Sequence, residues 1–346
     1  MFIDCEKTYR EGEGYMRAGK LKESILKRSV LKQLHKRNES VLVAPSFGGD
    51  FGVVEPKEGE VVVVSTDPVT LANTDMASIG VISALNDVAC SGARPIGISV
   101  NLLLPTSCNE QQLKDLIKEI ETVCEANGID VISGHTEVTR AVQSPLITIT
   151  AVGMVLKEKM LHSSNVRPGM DILATKWVGL EGTAILAKEQ EALLRTRYSA
   201  PFVDNAKLFG NWMSVLPEAA VAMNTGAKAL HDVSQGGIFA ALWELAESAG
   251  VGLEIDIKKI PIKQETVEIC EFFDINPYKL ISGGCLLIAT EDGNQMVREL
   301  EKADISAVVI GKATDSNDRV LFHEDERRFL ETVQVDELYT LDLKNV

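Results

Sequence analysis

Five acids recur at strand ends or helix starts, each beside a glycine or a hydroxyl: Asp50 in "FGGDFG", Asp67 in "STDPVT", Asp87 in "ALNDVA", Glu137 in "SGHTEV" and Asp232 in "LHDVSQGG". Mg²⁺ binds a few carboxylates and takes its remaining oxygens from phosphate and water, so acids spread over several loops can converge on a Mg-nucleotide. Glycine lets the backbone approach a phosphate closely, and a helix start offers free N–H groups to an anion. Gly134, Gly236 and Gly237 stand where such an approach would be made. Each acid also has a plainer reading. Asp50 and Asp67 can shape turns, and Asp232 or Ser234 can cap the helix that follows, worth about 1 kcal/mol. Asp87 is harder to explain that way. It follows Asn86 inside an otherwise apolar helical stretch, where paired short polar side chains lower helix propensity.

Other chemistries find less support. His231 beside Asp232 suits a metal pair or a solvent-facing cap equally, and His135 stands at a strand end as a candidate ligand. His35, His162 and His323 read as surface residues, and Cys285 in "SGGCLLI" as a buried small hydrophobe. There is no GxSxG elbow, no GxxxxGK[ST] and no GxGxxG. The six cysteines are scattered without a CxxC pair, which argues against a zinc site and a secreted disulfide framework.

The elements that must carry these residues alternate. A helix is expected over Lys22–His35, then a short strand, a Gly-rich turn with Asp50 and a second strand. The four valines of "GEVVVVSTDP" predict a strand buried on both faces. A helix follows over Thr74–Ser91, stopped by Gly92 and Pro95, then "PIGISVNLLLP" as a strand and a helix closed by Gly128. "IDVISGHTEV" and "SPLITITAVGMV" complete the first half as strands. A break near residues 156–165 opens a second α/β half, whose polar tail after Ser316 reads as one or two appended strands. The fold class is therefore α/β or α+β, with an arm over 1–20, one domain over 21–158 and a second over 165–346.

At 346 residues the length fits two domains. The formal charge of −15 disfavours nucleic acid and anionic lipid, both of which need a basic footprint. No stretch reaches membrane-spanning length and the N-terminus lacks a signal-peptide core. A cytoplasmic protein with reduced thiols is expected.

Taken together, "GKLKESILKRSVL", "VAPSFGGDFGVV", "STDPVT", "GVISALNDVACSGARP", "VISGHTEVT", "GAKALHDVSQGGIFAALWELAESAGVGLEID" and "ICEFFDINPYKLISGGCLLIA" resemble the PurM-like superfamily. That superfamily includes aminoimidazole ribonucleotide (AIR) synthetase, selenophosphate synthetase, thiamine monophosphate kinase and the hydrogenase maturation factor HypE. The nearest branch is HypE-like, or AIR synthase-related. The resemblance implies two domains: a mixed-sheet N-terminal domain that pairs with a second subunit, and a C-terminal domain with helices packed on a sheet. It also implies a homodimer, with ATP and Mg²⁺ in a cleft near the subunit interface and a small-molecule substrate. For the metal it implies Asp50, Asp67 and Asp87, with Glu137 as a substitute acid; for the nucleotide, Asn86, Gly134, Thr136, Gly236 and Gly237; for catalysis, Asp87, Asp232 and Lys20.

Three departures bear on function. HypE ends in a cysteine-bearing tail, whereas this sequence ends "LDLKNV". The usual Gly-Asp-Thr turn reads Gly134-His135-Thr136, and a usual arginine is Gln235, which removes a bidentate phosphate contact. The implied function is an ATP-dependent enzyme that phosphorylates or dehydrates an amide- or acid-bearing small molecule. The alternatives are an ATP-binding maturation or regulatory partner with reduced catalysis, and a cleft for another phosphorylated metabolite.

Overall fold

The computed structural model describes residues 16–324 and 326–341, so most of the arm expected over residues 1–20 lies outside the described residues. A two-residue strand, β1 (Gly19–Lys20), precedes a helical segment that opens as α1 (Glu23–Ile25), widens over Leu26–Val30 and tightens over Leu31–Gln33. The regular helix expected over Lys22–His35 is thus irregular, and the cause is tertiary. Arg28 Nε and Ser29 Oγ both donate to Glu110 Oε1, at 2.6 and 2.5 Å, and the Gln33 amide donates to Ser29 O and Lys114 O. The bonds to Glu110 and Lys114 pin the segment to the helix that starts at Glu110 and outweigh weak local preference.

The Arg28 guanidinium and the Ser29 hydroxyl hold the Glu110 carboxyl well below the usual carboxylate range, at about 2. A lowered folded value contributes stability above the unfolded value and loses it as pH falls through the folded one. Glu110→Gln lacks that contribution at every pH. The difference in melting temperature between wild type and variant is expected to be largest above about pH 5 and to close towards about pH 2.

β2 (Val41–Val43) and β3 (Val53–Val54) form a small ribbon with Asp50 exposed in its connection. β4 (Glu60–Pro68), α2 (Met76–Cys90), β5 (Arg94–Pro105), α3 (Glu110–Asn127), β6 (Asp130–Thr139) and β7 (Leu146–Leu156) complete the first half. Its sheet runs β1-β6-β5-β7-β4, with β5 and β6 parallel through the α3 crossover and the other pairs antiparallel. Asn109 and Gln112 form a reciprocal cap at the start of α3, and Gly128 closes it at φ 63°. On α2, Ala77, Val81, Ala84, Leu85 and Val88 are buried in the core that this helix shares with the sheet.

β4 corrects one expectation. It is an edge strand covered on one face only, so Val62 and Val64 are 45% and 59% exposed while Val61 and Val63 turn inward. Four consecutive valines do not distinguish a strand covered twice from one covered once, because the neighbour is set by topology.

The second half contains β8 (Asp171–Thr175), α4 (Leu180–Glu189), α5 (Glu191–Leu194), α6 (Ala200–Lys207), α7 (Leu216–Thr225) and β9 (Ala229–Asp232). It continues with α8 (Gly237–Ala249), β10 (Gly252–Asp256), α9 (Gln264–Phe272), β11 (Leu286–Thr290), α10 (Gly293–Glu301) and β12 (Ala307–Thr314). β13 (Arg319–His323) and β14 (Glu326–Phe329) are the strands expected in the tail, and α11 (Glu337–Thr340) follows. The seven-stranded sheet runs β14-β13-β10-β12-β8-β11-β9. β11 is buried on both faces: Leu287 and Ala289 pack with α8, Leu286 and Ile288 with α7 and α10. The halves share a core, since Ile185, Leu186 and Met213 cluster with the residues of α2. The architecture is thus α/β in two halves, the class expected from the sequence.

Candidate functional site

The shared core leaves a cleft where the C-terminal end of β4, one face of α2 and the loop after β9 meet. A cavity of about 390 Å³ there is lined by Asp67, Gly80, Ser83, Asp87, Glu181, Asp232, Ser234, Gln235 and Tyr339, among others. Each acid arrives on a different element. Asp67 ends β4, Asp87 lies in the last turn but one of α2, and Asp232 ends β9. Ser65 Oγ donates to Asp87 Oδ2 at 2.6 Å and lies 3.4 Å from Asp67 Oδ2, so one hydroxyl links two carboxylates. The Cys90 thiol, one turn on from Asp87, points at Asp232 Oδ1 at 3.8 Å.

The electrostatics are one-sided. Burial, with Asp232 and Asp67 nearby, pushes Asp87 up to about 9, and burial raises Asp232 as well. Burial pushes Glu181 up to about 8. No lysine or arginine is among the described residues lining the cavity. Burial thus works against charge on all three carboxyls, and a cation beside them would favour their ionised forms and offset a phosphate. Asp67, Asp87 and Asp232 line this space, and any of them could give Mg²⁺ an oxygen, the rest coming from phosphate and water. Among the described residues no three acids, histidines or cysteines are grouped closely enough to hold a metal by themselves, so a nucleotide would have to complete the coordination.

The other residues singled out from sequence fall elsewhere. Asn86 is 1% exposed and faces the protein: its amide donates to Met213 O at 2.9 Å and its carbonyl accepts from Val215 N at 2.9 Å. It fastens α2 to the second half. Gly134, Thr136 and Glu137 lie on β6 and Lys20 on β1, at the sheet edge opposite β4. Register aligns Asp67 with Ile149, Val100 and Gly134 in turn, a separation of three strands or about 14 Å. His135 pairs with Glu137 at 3.1 Å, and His231 with Glu244 at 3.1 Å. Within one chain, Asp50, Lys20, Gly134, Thr136 and Glu137 are thus not among the residues lining the acidic cavity.

Neither Asp232 nor Ser234 caps α8; the cap position is Gly236, at φ 79°, with no side-chain bond. Gly236 N–H donates to Asp336 Oδ2 at 2.7 Å and Gly237 N–H to Ser234 O at 3.1 Å, so both amides are occupied by protein acceptors. The need for glycine at 237 is steric: a Cβ there would sit 2.6 Å from Tyr278 O and 2.7 Å from Leu280 O.

Sequence reasoning missed three residues of the site. Glu181 starts α4 and is 3% exposed; Oε2 accepts from Gly283 N–H at 3.1 Å. Asp336 anchors the loop of Gly236, and Tyr339 lines the cavity and bonds Thr70 Oγ1 at 2.8 Å. Glu181 sits in the apolar-looking "GLEGTAILA", where nothing but its charge marked it. A Cβ on Gly283 would lie 2.4 Å from Glu181 Oε2. Gly283→Ala is expected to displace that carboxyl and lower stability by roughly 1–3 kcal/mol, read by chemical denaturation.

Two family models match consecutive parts of the chain. The AIR synthase related protein N-terminal domain covers residues 48–155 and its C-terminal domain covers 167–324. The chain belongs to the AIR synthase-related family. This AIR synthase-related chain is 25% identical over 311 residues to a Methanocaldococcus jannaschii protein named for hydrogenase expression and formation, covering 88% of this chain and 90% of that one. It is 26% identical over 283 residues to carbamoyl dehydratase HypE of Azotobacter vinelandii, covering 80% and 77%. Its fold matches the crystal structure of the hydrogenase maturation protein HypE in complex with ATP, with a TM-score of 0.76 at 18% identity over 93% of this chain and 98% of that one. The fold also matches T. maritima PurL complexed with ATP, at a TM-score of 0.61 and 17% identity over 88% of this chain and 47% of that one.

Proposed function

We propose that this chain is a Mg-ATP-dependent enzyme that transfers the γ-phosphoryl group to an amide or acid oxygen of a small molecule, as the first step of a phosphorylation or dehydration. The observation that carries this reading is the junction cavity, where Asp67, Asp87 and Asp232 face one space whose described lining holds no lysine or arginine. A polyanion can occupy such a space only with a cation. Similarity to a carbamoyl dehydratase and a fold shared with ATP complexes support the same assignment.

Bound Mg²⁺ would offset charge on the phosphates as it shifts towards the leaving oxygen. The chain's own part is placement. Asp67 and Asp87, tied through Ser65, fix one wall, while Asp232 and the Ser234–Gly237 loop fix the other from the second half. The exposed Val62 and Val64 of β4, with Phe47 and Phe51, support a homodimer, in which a second copy would supply the sheet edge bearing Lys20 and Glu137. The five described cysteines are unpaired and no described helix is long and apolar enough to cross a membrane, which supports placement in the cytoplasm.

A second reading, an ATP-binding partner with little catalysis, is favoured by Gln235 and by the occupied amides of Gly236 and Gly237. Calorimetry of ATP with and without Mg²⁺ tests the binding that both readings share. Binding that requires Mg²⁺ is expected, and no binding under either condition would refute both. Turnover across amide and acid acceptors then separates them, since the partner binds ATP without consuming it.

A further inference from the structure

Arg328 lies on an edge strand yet faces inward. β14 ends the seven-stranded sheet, and its register places Arg328 opposite Leu321, which is buried in the same core cluster as Phe239 of α8. Residues paired across antiparallel strands share a face. The guanidinium therefore turns to the helix-covered side and lies 5.8 Å from the centre of the Phe239 ring. Beside it is a cavity of about 320 Å³ with an apolar wall of Phe239, Leu321 and Phe329. Arg328, Lys279 and Asn276 also line that space, and Glu331 is the one acid among its described lining.

The two cations come from separate elements. An inward charge can protect a sheet edge from pairing with another chain. That accounts for Arg328 but not for Lys279, which lies in the loop between α9 and β11. Arg327, the neighbouring residue, pairs with Glu254 at 3.5 Å, whereas neither Arg328 nor Lys279 forms an ion pair among the described residues. In a chain with 50 acids and 35 bases, two such cations beside one cavity leave a place for an anion that the protein does not supply. The wall is also preformed. Tyr278 N–H donates to Asn276 Oδ1 at 3.0 Å, Phe239 N–H donates to Tyr278 O at 3.1 Å, and the Phe239 and Tyr278 rings stack at 5.3 Å. With its carbonyl so engaged, Asn276 has its NH₂ to give as a donor.

We propose that this cavity binds a small amphiphilic anion, with one carboxylate or phosphate held by Arg328 and Lys279 and an aromatic ring against Phe239 and Phe329. The guanidinium and the ammonium supply charge-assisted donors, and the Asn276 amide a neutral one. The ring packs on the aromatic wall in offset or edge contact. Glu331, exposed at the rim, opposes a second anionic group. A cavity at the small end of the ligand range admits a single ring and its head group. It shares no lining residue with the acidic cavity, so the assignment holds whether or not the chain uses ATP.

The test is fluorine NMR on the full chain with para-fluorophenyl phosphate, para-fluorobenzoate and, as the neutral counterpart, para-fluorobenzyl alcohol. At least one anion is expected to bind with a dissociation constant of about 1 mM or tighter, at least about tenfold below that of the alcohol. Which anion does so identifies the head group as phosphate or carboxylate. Arg328→Gln and Lys279→Gln are each expected to weaken that binding at least about tenfold. Their melting temperatures should match the wild type, because both side chains reach solvent. A saturating Mg²⁺ complex of a non-hydrolysable ATP analogue is expected to leave the anion bound. Binding no tighter than the alcohol's, binding that survives both substitutions, or displacement by the analogue would overturn the assignment, the last by placing the anion in the acidic cavity.

Discussion

Asp87→Asn is expected to weaken Mg-ATP binding by roughly 100-fold or more and to remove its dependence on Mg²⁺. Asp87 is linked through Ser65 to Asp67, faces Asp232 across the junction of the two halves, and is forced towards its neutral form by burial and those neighbours. A site that strains to keep its carboxyls charged gains most when a cation replaces the protons. The amide keeps the shape and the Ser65 contact but supplies no charge. Stability should be unchanged or slightly higher, because an unneutralised buried acid has been removed. Calorimetry of ATP with and without Mg²⁺, beside a thermal melt, checks both. Wild-type affinity in the variant would place the metal elsewhere.

Asn86→Ala, one residue away, is expected to act on the fold instead. Its amide satisfies Met213 O and Val215 N–H, both buried, and alanine leaves the two backbone groups without partners. An unsatisfied buried donor or acceptor costs about 1–3 kcal/mol, so the pair amounts to roughly 2–6 kcal/mol. A fall of several degrees in melting temperature is expected, with ATP affinity retained in the folded fraction. Asn86→Asp is expected to be worse, since a buried charge then replaces the donor to Met213 O. A melt unchanged in Asn86→Ala would show that the halves do not depend on this junction. Adjacent positions on one helix thus separate binding from assembly, and the measurements distinguish them.

The order of elements and most of the acids of the cavity were legible in the sequence. Alternating apolar runs and glycine stops marked α2, α3 and the strands around them, because burial of one face imposes a period that composition carries. The acids of "STDPVT" and "LHDVSQGG" stood out because they recur beside hydroxyls and glycines at element ends, and that of "ALNDVA" because a polar pair interrupts an apolar helical stretch. Those three line one cavity.

What tertiary structure decided was proximity and partnership. The sheet order put β6 three strands from β4, so Gly134, Thr136 and Glu137 left the company of Asp67, which no local pattern encodes. It made β4 an edge with an exposed valine face and turned Asn86 from a cleft residue into a fastening between halves. It also lifted Glu181 out of an unremarkable helix start into the wall of the cavity. A local sequence window reports which face an element wants buried; the energy of what covers that face, and of a carboxyl held there without a cation, is set by residues a hundred positions away.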